Sequence, residues 1–432
     1  MRPVFTLFVL LGFGFLGCDS GDSPVSAPDP PSSDSQNNIL LIIADDMGKD
    51  ATAGFAEGAV KPNTPHLDAL AANGLVFTNL WVAPTCSPTR ASILTGRYGF
   101  RTGVTRSGRE LSSSETTVQR YIDEQTGGAY ATAVIGKWHL SRSSTFNPET
   151  LGIDYYAGVI EGNLDDYYSW PLTEDGVATL QTGYNTEVLT DLAIDWIAGQ
   201  DRSWFTWLAY NAPHGPFHAP PSEMHSQGAL PVFQPGGDAT RHYMAAIEAM
   251  DYQIGRLLDS LSPAERASTT IIFIGDNGSP GQVAQDPYPS RRVKGTLYQG
   301  GINTPMYVSG PGVTRRGVDD ALVVGPDLYA TIAALAGVEI SEVHDARSMV
   351  PLLTAPGSVR DYAYSLIEDG GGLSWTARDD RYKLLVGPDG TEAMFDLTLD
   401  PYESTDLVDG ELGGEASAAR AALRAWVESL GG

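Results

Sequence analysis

Seven polar residues in four short stretches have types that could hold a hard metal ion. Asp45 and Asp46 directly follow the apolar run ILLIIA, Lys137 and His139 (GKWHL) follow TAVIG, His214 (NAPHGP) follows FTWLAY, and Asp276 and Asn277 (GDNG) follow IIFI. Three carboxylates and an amide oxygen are hard donors. They suit Ca²⁺ or Mg²⁺ and are poor ligands for Zn²⁺. Taken singly each signal has an ordinary reading. An Asp pair after a strand caps a turn or helix, DNG marks a hairpin, and one histidine is more often structural than catalytic. What distinguishes them is that all four groups follow strand-like segments.

Cys86 joins the same set. It stands in PTCSPTRASILTGRYGFRTGV (84–104) and is one of only two cysteines in 432 residues. Pro88 suits the first turn of a helix running through TRASILTG, which places Cys86 at that helix's N-terminus. Backbone N–H groups and the helix dipole favour negative charge there, so a thiolate would be activated. With His139 it would make a cysteine hydrolase. A soft thiolate beside a hard cation is chemically mismatched, however, and an oxygen nucleophile would suit the ion better.

Groups so far apart in sequence need a frame. Apolar, β-branched segments of strand length recur at 39–44, 130–136, 203–210, 269–275 and 305–310. Between them lie amphipathic helical patterns at 64–74, 186–199, 239–261 and 326–337. This alternation predicts an α/β fold, a large, mostly parallel sheet sandwiched by helices. Each polar group then falls just past the carboxyl end of a strand, the edge at which open parallel sheets bind ligands. After residue 355 the texture changes to short strand candidates (YAYSLIE, LSWTAR, RYKLLV, AMFDL) and a closing helix, EASAARAALRAWVESL. We read 39–355 as the catalytic domain and 356–432 as a small C-terminal α+β subdomain on an antiparallel sheet.

The first 38 residues read differently. Arg2 and the apolar stretch 4–16 have the form of a secretion signal, too short to span a membrane as a mature helix. FLGC resembles a lipoprotein cleavage box, with Phe15 as a departure, so 1–17 is expected to be a signal peptide and Cys18 a lipid attachment point. The Pro/Ser/Asp-rich segment 18–38 is then a disordered tether. The protein is expected to be exported to the periplasm or cell surface, with membrane contact only through Cys18. That leaves Cys86 as an exported thiol without a disulfide partner. A formal net charge of −26 argues against nucleic acid and against a polybasic membrane patch.

CSPTRASILTG matches the signature of the formylglycine-dependent sulfatases, of the alkaline-phosphatase-like superfamily. ILLIIADDMG resembles that family's opening strand and metal pair, and TPHLDALAANGLVFTNLWV the segment before its nucleophile. GKWHL resembles its second signature, LAYNAPHGPFHAP its third histidine, GDNGS and KGTLYQGGINTP its last metal pair and sulfate-binding lysine, and MFDLTLDPYESTDL its tail signature. The resemblance implies that a maturation enzyme oxidises Cys86 to formylglycine, whose hydrated form is a gem-diol nucleophile. It implies that Asp45, Asp46, Asp276, Asn277 and residue 86 hold Ca²⁺. By the same resemblance Arg90 orients the diol, Lys137 and His139 bond its second hydroxyl, and His214 and Lys294 bind the sulfate of a small-molecule or glycan ester.

Departures from the pattern are Gln299 where Glu is common, Asn303 where Arg is common, Ser141 in place of a glycine, and the stretch MGKDATAG. None removes a catalytic group. Two other functions stay open, phosphoester or phosphonate hydrolysis within the same superfamily and a catalytically inactive binding homologue. Asn277 stands where two-zinc phosphatases place a histidine, which disfavours the first. Among the other candidates, His218 is expected on an exposed loop. Arg291 and Arg292 could bind a second anionic group of a polymer, with no such role as the favoured reading. The aromatics of LDDYYSWP (164–171) have loop packing and sugar stacking as alternatives, and His66, His225, His242 and His344 are expected to be structural.

Overall fold

Alternate residues of ILLIIA belong to different cores in the computed structural model of the chain, which describes residues 37–410 and 412–431. Ile39, Leu41 and Ile43 pack into one buried cluster; Leu40, Ile42 and Ala44 pack into another. The same split occurs in TTIIFIG, where Ile272 and Ile274 face the first cluster and Ile271 and Phe273 the second. A strand apolar on both faces needs cover on both. The helices Cys86–Thr95, Val118–Thr126 and Asp327–Leu335 cover one face. Pro65–Ala72, Asn185–Ala198 and Ala239–Ser260 cover the other.

The sheet has eleven strands. They are β1 (Asn38–Ala44), β2 (Leu75–Trp81), β3 (Ala131–Lys137), β4 (Tyr155–Val159), β5 (Trp170–Glu174), β6 (Val177–Gln181), β7 (Trp204–Ala209), β8 (Thr269–Gly275), β9 (Asn303–Ser309), β10 (Gly317–Asp319) and β11 (Val323–Val324). Their order is β10-β2-β9-β8-β1-β7-β3-β4-β5-β6, with β11 also beside β2. The central strands β8, β1, β7, β3 and β4 are parallel neighbours. β9 is antiparallel to both β8 and β2, and β5 and β6 are antiparallel to their neighbours. Register brings four strand ends level: Ala44 faces Gly275, Ile43 faces Ala209, and Gly136 faces Ala209. The residues just past those ends therefore share one rim.

A two-stranded ribbon, β12 (Glu342–Val343) and β13 (Ala346–Arg347), precedes the tail. The tail is an antiparallel meander of β14 (Ala363–Asp369), β15 (Gly372–Arg378), β16 (Tyr382–Val386) and β17 (Glu392–Asp396), followed by the helix Gly414–Ser429. Its core includes Trp81, Tyr98, Leu297, Ile302 and Val324, so the tail packs on residues that belong to the catalytic part of the chain.

The expected strands and helices are present within one to three residues at each end, β1 starting at Asn38 rather than Ile39. The expected signal peptide and Cys18 lie outside the described residues, as does the expected tether up to residue 36. Strands β2, β4, β5 and β6 were not foreseen. The side chains of β6 are almost all exposed, which removes the inside–outside alternation by which a strand is recognised.

Candidate active site

The signature helix Cys86–Thr95 is buried along its whole length. Thr89 Oγ1 accepts from Ala83 N at 3.0 Å and donates to Ala83 O at 3.1 Å, which clamps the chain entering the helix. Ser87 Oγ donates to His139 O at 2.8 Å and accepts from Gly108 N at 3.2 Å. Gly96 ends the helix in the left-handed conformation, at φ 65°. Cys86 is thus held at the N-terminus of a rigid element, and Arg90, four residues on, projects from the same face.

Around that terminus stand the groups of the four strand ends. Asp45 is fully buried, with Oδ2 2.5 Å from Lys137 Nζ and Oδ1 3.1 Å from Cys86 Sγ. Asp46 adopts φ 71°, a left-handed conformation rare outside glycine, and such strain gathers at functional sites. Its Oδ2 lies 2.6 Å from Lys294 Nζ, and its Oδ1 accepts from Asn277 Nδ2 at 2.8 Å. Asp276 Oδ1 accepts from Asp46 N at 3.1 Å, and its Oδ2 receives Arg90 Nε at 3.1 Å and Nη2 at 2.8 Å. The remaining Arg90 nitrogen, Nη1, donates to Lys137 O at 2.7 Å. Arg90 therefore ties together two of the four strand ends.

The two histidines close the circle. His139, at φ 62°, keeps a buried Nδ1 with no hydrogen-bond partner among the described residues. His214 Nδ1 faces Gly215 O at 2.6 Å; a carbonyl only accepts, so Nδ1 carries the proton. Nε2 is left facing Asp46 Oδ2 at 3.7 Å. Tyr167 OH donates to His214 O at 2.7 Å and to Asn211 O at 2.8 Å, fixing the His214 loop.

Burial and charge set the protonation states. Burial, followed by the Lys137 charge, pulls His139 far below its ordinary value, so the imidazole is neutral. Burial works against the charge on Lys294, yet Cys86, Asp46 and Asp45 outweigh it and hold the ammonium above its usual range. With the protein's own groups, burial and then the carboxylates of Asp276 and Asp45 push the Cys86 thiol well above its ordinary value. A thiolate is disfavoured there, which counts against a cysteine hydrolase. Burial and the neighbouring Asp45 carboxylate also raise Asp276, despite Arg90 and Lys137.

That crowding is the signature of a cation site. Asp45, Asp46, Cys86 and His214 each offer a ligand atom, all within 4.8 Å of one another. Asn277 Oδ1 is buried and has no hydrogen-bond partner among the described residues. An orphaned amide oxygen beside three carboxylates is what a hard divalent ion satisfies, so the residues present fit Ca²⁺ or Mg²⁺. Gly278 is required beside Asn277: a Cβ there would lie 1.8 Å from Gly300 O.

Every sequence-predicted site residue is part of this arrangement: Asp45, Asp46, Cys86, Arg90, Lys137, His139, His214, Asp276, Asn277 and Lys294. A supporting layer was missed. Tyr243 OH donates to Asp46 O at 2.6 Å and lies 3.1 Å from Ser279 Oγ. Ser279 Oγ accepts from Gly48 N at 3.1 Å and lies 2.6 Å from Asp50 Oδ1. The unusual MGKDATAG stretch takes part in this layer, with Asp50 anchoring the turn after Asp45 and Asp46 and the buried Lys49 Nζ donating to Thr78 O at 2.5 Å.

One expectation is corrected, and two readings left open are resolved. His218 is half-buried rather than on an exposed loop; its ring stacks on Tyr167 at 3.7 Å and its Nε2 lies 3.1 Å from Tyr184 OH. Arg292 is not available to a second anion, because it lies over the Tyr298 ring at 4.3 Å and donates to Glu403 O. Tyr167 of the aromatic loop is buried and committed to backbone carbonyls, so it packs the loop rather than stacking on a ligand.

Comparison with known proteins agrees with this geometry. The sulfatase family profile matches residues 37–338. N-acetylgalactosamine-6-sulfatase of Sus scrofa is 30% identical over 358 residues, covering 74% of this chain and 65% of that enzyme. Arylsulfatase G of Rattus norvegicus is 28% identical over 459 residues, covering 86% of this chain and 83% of that enzyme. Among solved structures, Ps i-CgsB in complex with k-i-k-neocarrahexaose superposes with a TM-score of 0.75 at 25% identity, covering 87% of this chain and 89% of that chain. The chain belongs to the sulfatase family.

Proposed function

We propose that the protein hydrolyses sulfate monoesters of carbohydrates, with formylglycine formed from Cys86 as the nucleophile and one Ca²⁺ in the site. The carrying observation is the convergence of Asp45, Asp46, Cys86 and His214 within 4.8 Å at the N-terminus of a buried helix, with the ammonium groups of Lys137 and Lys294 alongside. Asp45, Asp46, Asp276 and Asn277 would hold the ion. When present, the ion and the hydrated aldehyde at position 86 supply, respectively, charge neutralisation on the sulfate oxygens and an oxygen nucleophile for sulfur. Lys137 and the neutral His139 are placed to hold the second hydroxyl at residue 86 and to take its proton as sulfate departs. His214 Nε2 and Lys294 Nζ face the same space from the other side, where they bind sulfate oxygens and one of them protonates the leaving oxygen. Carbohydrate as the substrate class is supported by the sugar in the name of the N-acetylgalactosamine-6-sulfatases and by the carrahexaose complex of Ps i-CgsB.

The charge of the site accommodates a sulfate monoester. Arg90, Lys137 and Lys294 balance Asp45, Asp46 and Asp276, so a bound Ca²⁺ leaves the site with the ion's own two charges. That matches a singly charged sulfate ester with charge to spare, whereas a phosphate monoester approaches two negative charges at neutral pH. Asn277 Nδ2 donates to Asp46 Oδ1 and Gly278 O, and no histidine stands at position 277 for a second metal. The test is kcat/KM for 4-nitrophenyl sulfate and 4-nitrophenyl phosphate on matured enzyme with Ca²⁺. A higher value for the sulfate is expected; a clear preference for the phosphate transfers the protein to the phosphohydrolase reading.

We further propose that the enzyme acts outside the cytoplasm, tethered through lipid on Cys18 and matured by a formylglycine-generating enzyme. Among the described residues no helix is long and apolar enough to cross a membrane. Cys18→Ala should release the protein from membranes or leave its signal uncleaved, and wild-type protein found wholly in the soluble exported fraction would refute the tether.

A further inference from the structure

Strands β7, β3 and β4 lie side by side, and His139 follows the middle one. Asn211, two residues past the end of β7, reaches across that middle strand: its Nδ2 donates at 3.0 Å to Gly162 O, in the segment after β4. We propose that Asn211 is a positioning residue for proton transfer by His139, and that it holds His139 and His214 in a fixed relation to one another. The proposal rests on the sulfatase reading and adds one residue to it.

With Nδ1 of His139 unpartnered among the described residues, the ring is not oriented through that atom. It rests instead on Gly162, which adopts φ 86°; a Cβ there would lie 2.3 Å from His139 Cγ and 2.8 Å from Cδ2. The same segment holds the His139 main chain, since Ile160 O accepts from His139 N at 2.9 Å. The place of residues 160–162 therefore sets the place of the imidazole, and the Asn211 amide ties that segment to the end of β7. Asn211 is 2% exposed, and its Oδ1 is buried without a hydrogen-bond partner among the described residues. Burying an amide with its oxygen unpaired is unfavourable, so the residue needs a reason beyond packing. The bond to Gly162 O supplies one. The main chain of Asn211 serves the other histidine: its O accepts from His214 N at 2.9 Å and from Tyr167 OH at 2.8 Å. One buried residue thus fixes the support of one histidine with its side chain and the backbone of the other with its carbonyl.

Two variants test this. Asn211→Leu keeps the branched shape and removes the donor. Gly162→Ala adds a Cβ that must push the imidazole back by about 1 Å or more to reach ordinary carbon contact. Both leave the Asn211 carbonyl and His214 in place. His139 takes its proton as sulfate departs, after the alcohol has left, so a misplaced His139 lowers kcat and spares kcat/KM. On matured full-length enzyme with Ca²⁺ and 4-nitrophenyl sulfate, kcat should fall on the order of tenfold in Asn211→Leu and a hundredfold in Gly162→Ala. In both, kcat/KM should stay within about threefold of wild type, with a burst of 4-nitrophenolate before the steady state. A second readout needs no activity: amide hydrogen exchange of the unmatured protein, followed by mass spectrometry. Asn211→Leu should speed exchange on the order of tenfold at 138–140 and 160–162 and leave the β14–β17 meander at the wild-type rate. Kinetic constants of Asn211→Leu equal to those of wild type, kcat and kcat/KM falling in equal proportion, or exchange rising throughout the chain would each overturn the positioning role, while wild-type turnover of the aryl sulfate leaves the sulfatase reading intact. Wild type that hydrolyses 4-nitrophenyl phosphate and no sulfate ester would overturn the sulfatase reading itself, whatever the exchange shows.

Discussion

Replacing Glu403 with alanine should damage stability and catalysis together, although its neighbours form none of the reacting groups. Glu403, at φ 61°, lies in the tail segment DPYESTDL and is 2% exposed. One carboxylate oxygen contacts Lys383 Nζ, and the other accepts from Gln299 N at 2.6 Å. Lys383 is fully buried and also donates to Leu297 O at 2.6 Å. Burial pulls the Lys383 ammonium below its ordinary value and Glu403 opposes that pull, so truncation strands a buried cation. Breaking a buried pair from one side costs about 3–5 kcal/mol. With an unfolding entropy of roughly 2 cal/mol/K per residue over a chain of this size, that is about 5 °C in Tm. The same truncation frees Gln299 N and one anchor of the segment 292–299, which carries Lys294. If Lys294 binds sulfate as proposed, its displacement by a fraction of an ångström should lower kcat/KM by about tenfold or more. Differential scanning calorimetry and 4-nitrophenyl sulfate kinetics read the two effects. The double variant Lys383→Met with Glu403→Gln removes the charge from both sides and should recover most of the lost Tm. Glu403→Ala melting within about one degree of wild type, or a double variant no more stable than the single, would refute this reasoning.

Ser279→Ala should weaken Ca²⁺ binding by about 10–100-fold, because Ser279 supports the backbone of the Asp46–Gly48 turn through Gly48 N, Asp50 and Tyr243; calorimetric titration with Ca²⁺ reads it, and an unchanged affinity removes the supporting role. His218 is pulled down to about 4, chiefly by burial. A depressed histidine contributes stability that is present above its unfolded value near 6.5 and lost as pH falls through about 4. His218→Gln should therefore show a smaller fall in Tm than wild type between those pH values, and parallel curves would contradict the assignment.

The site was more legible in the sequence than the frame around it, for a physical reason. Asp45, Lys137, His214 and Asp276 each follow an apolar run long enough to be a buried strand, and parallel register turns four such ends into one rim. Arg90 was visible through the resemblance of CSPTR to the sulfatase signature, and the helix places it on the same face as Cys86. Position 279 held a lone serine directly after DNG, and its partners Asp50 and Tyr243 are 229 and 36 residues away. A single hydrogen bond across such distances leaves no periodic trace. The β5–β6 hairpin carried a readable turn, Asp175-Gly176 at φ 44° and 81°, in the type favoured by two-residue hairpins. Its strands were missed because Val177 and Leu180 are exposed, at 64% and 71%, where alternation would hide apolar residues. His218 was misjudged because a polar residue in a Pro-rich loop reads as exposed, and only the fold brings Tyr167 and Tyr184 against it.

The central claim is that residue 86 acts as an aldehyde and not as a thiol. Its direct measurement is mass spectrometry of the peptide bearing residue 86, with hydrazide trapping, on preparations made with and without a formylglycine-generating enzyme, each also assayed for sulfate release. The account predicts activity proportional to the trapped aldehyde fraction and negligible turnover from peptide that is wholly cysteine. Full activity in a preparation whose residue 86 is entirely unmodified thiol would contradict it.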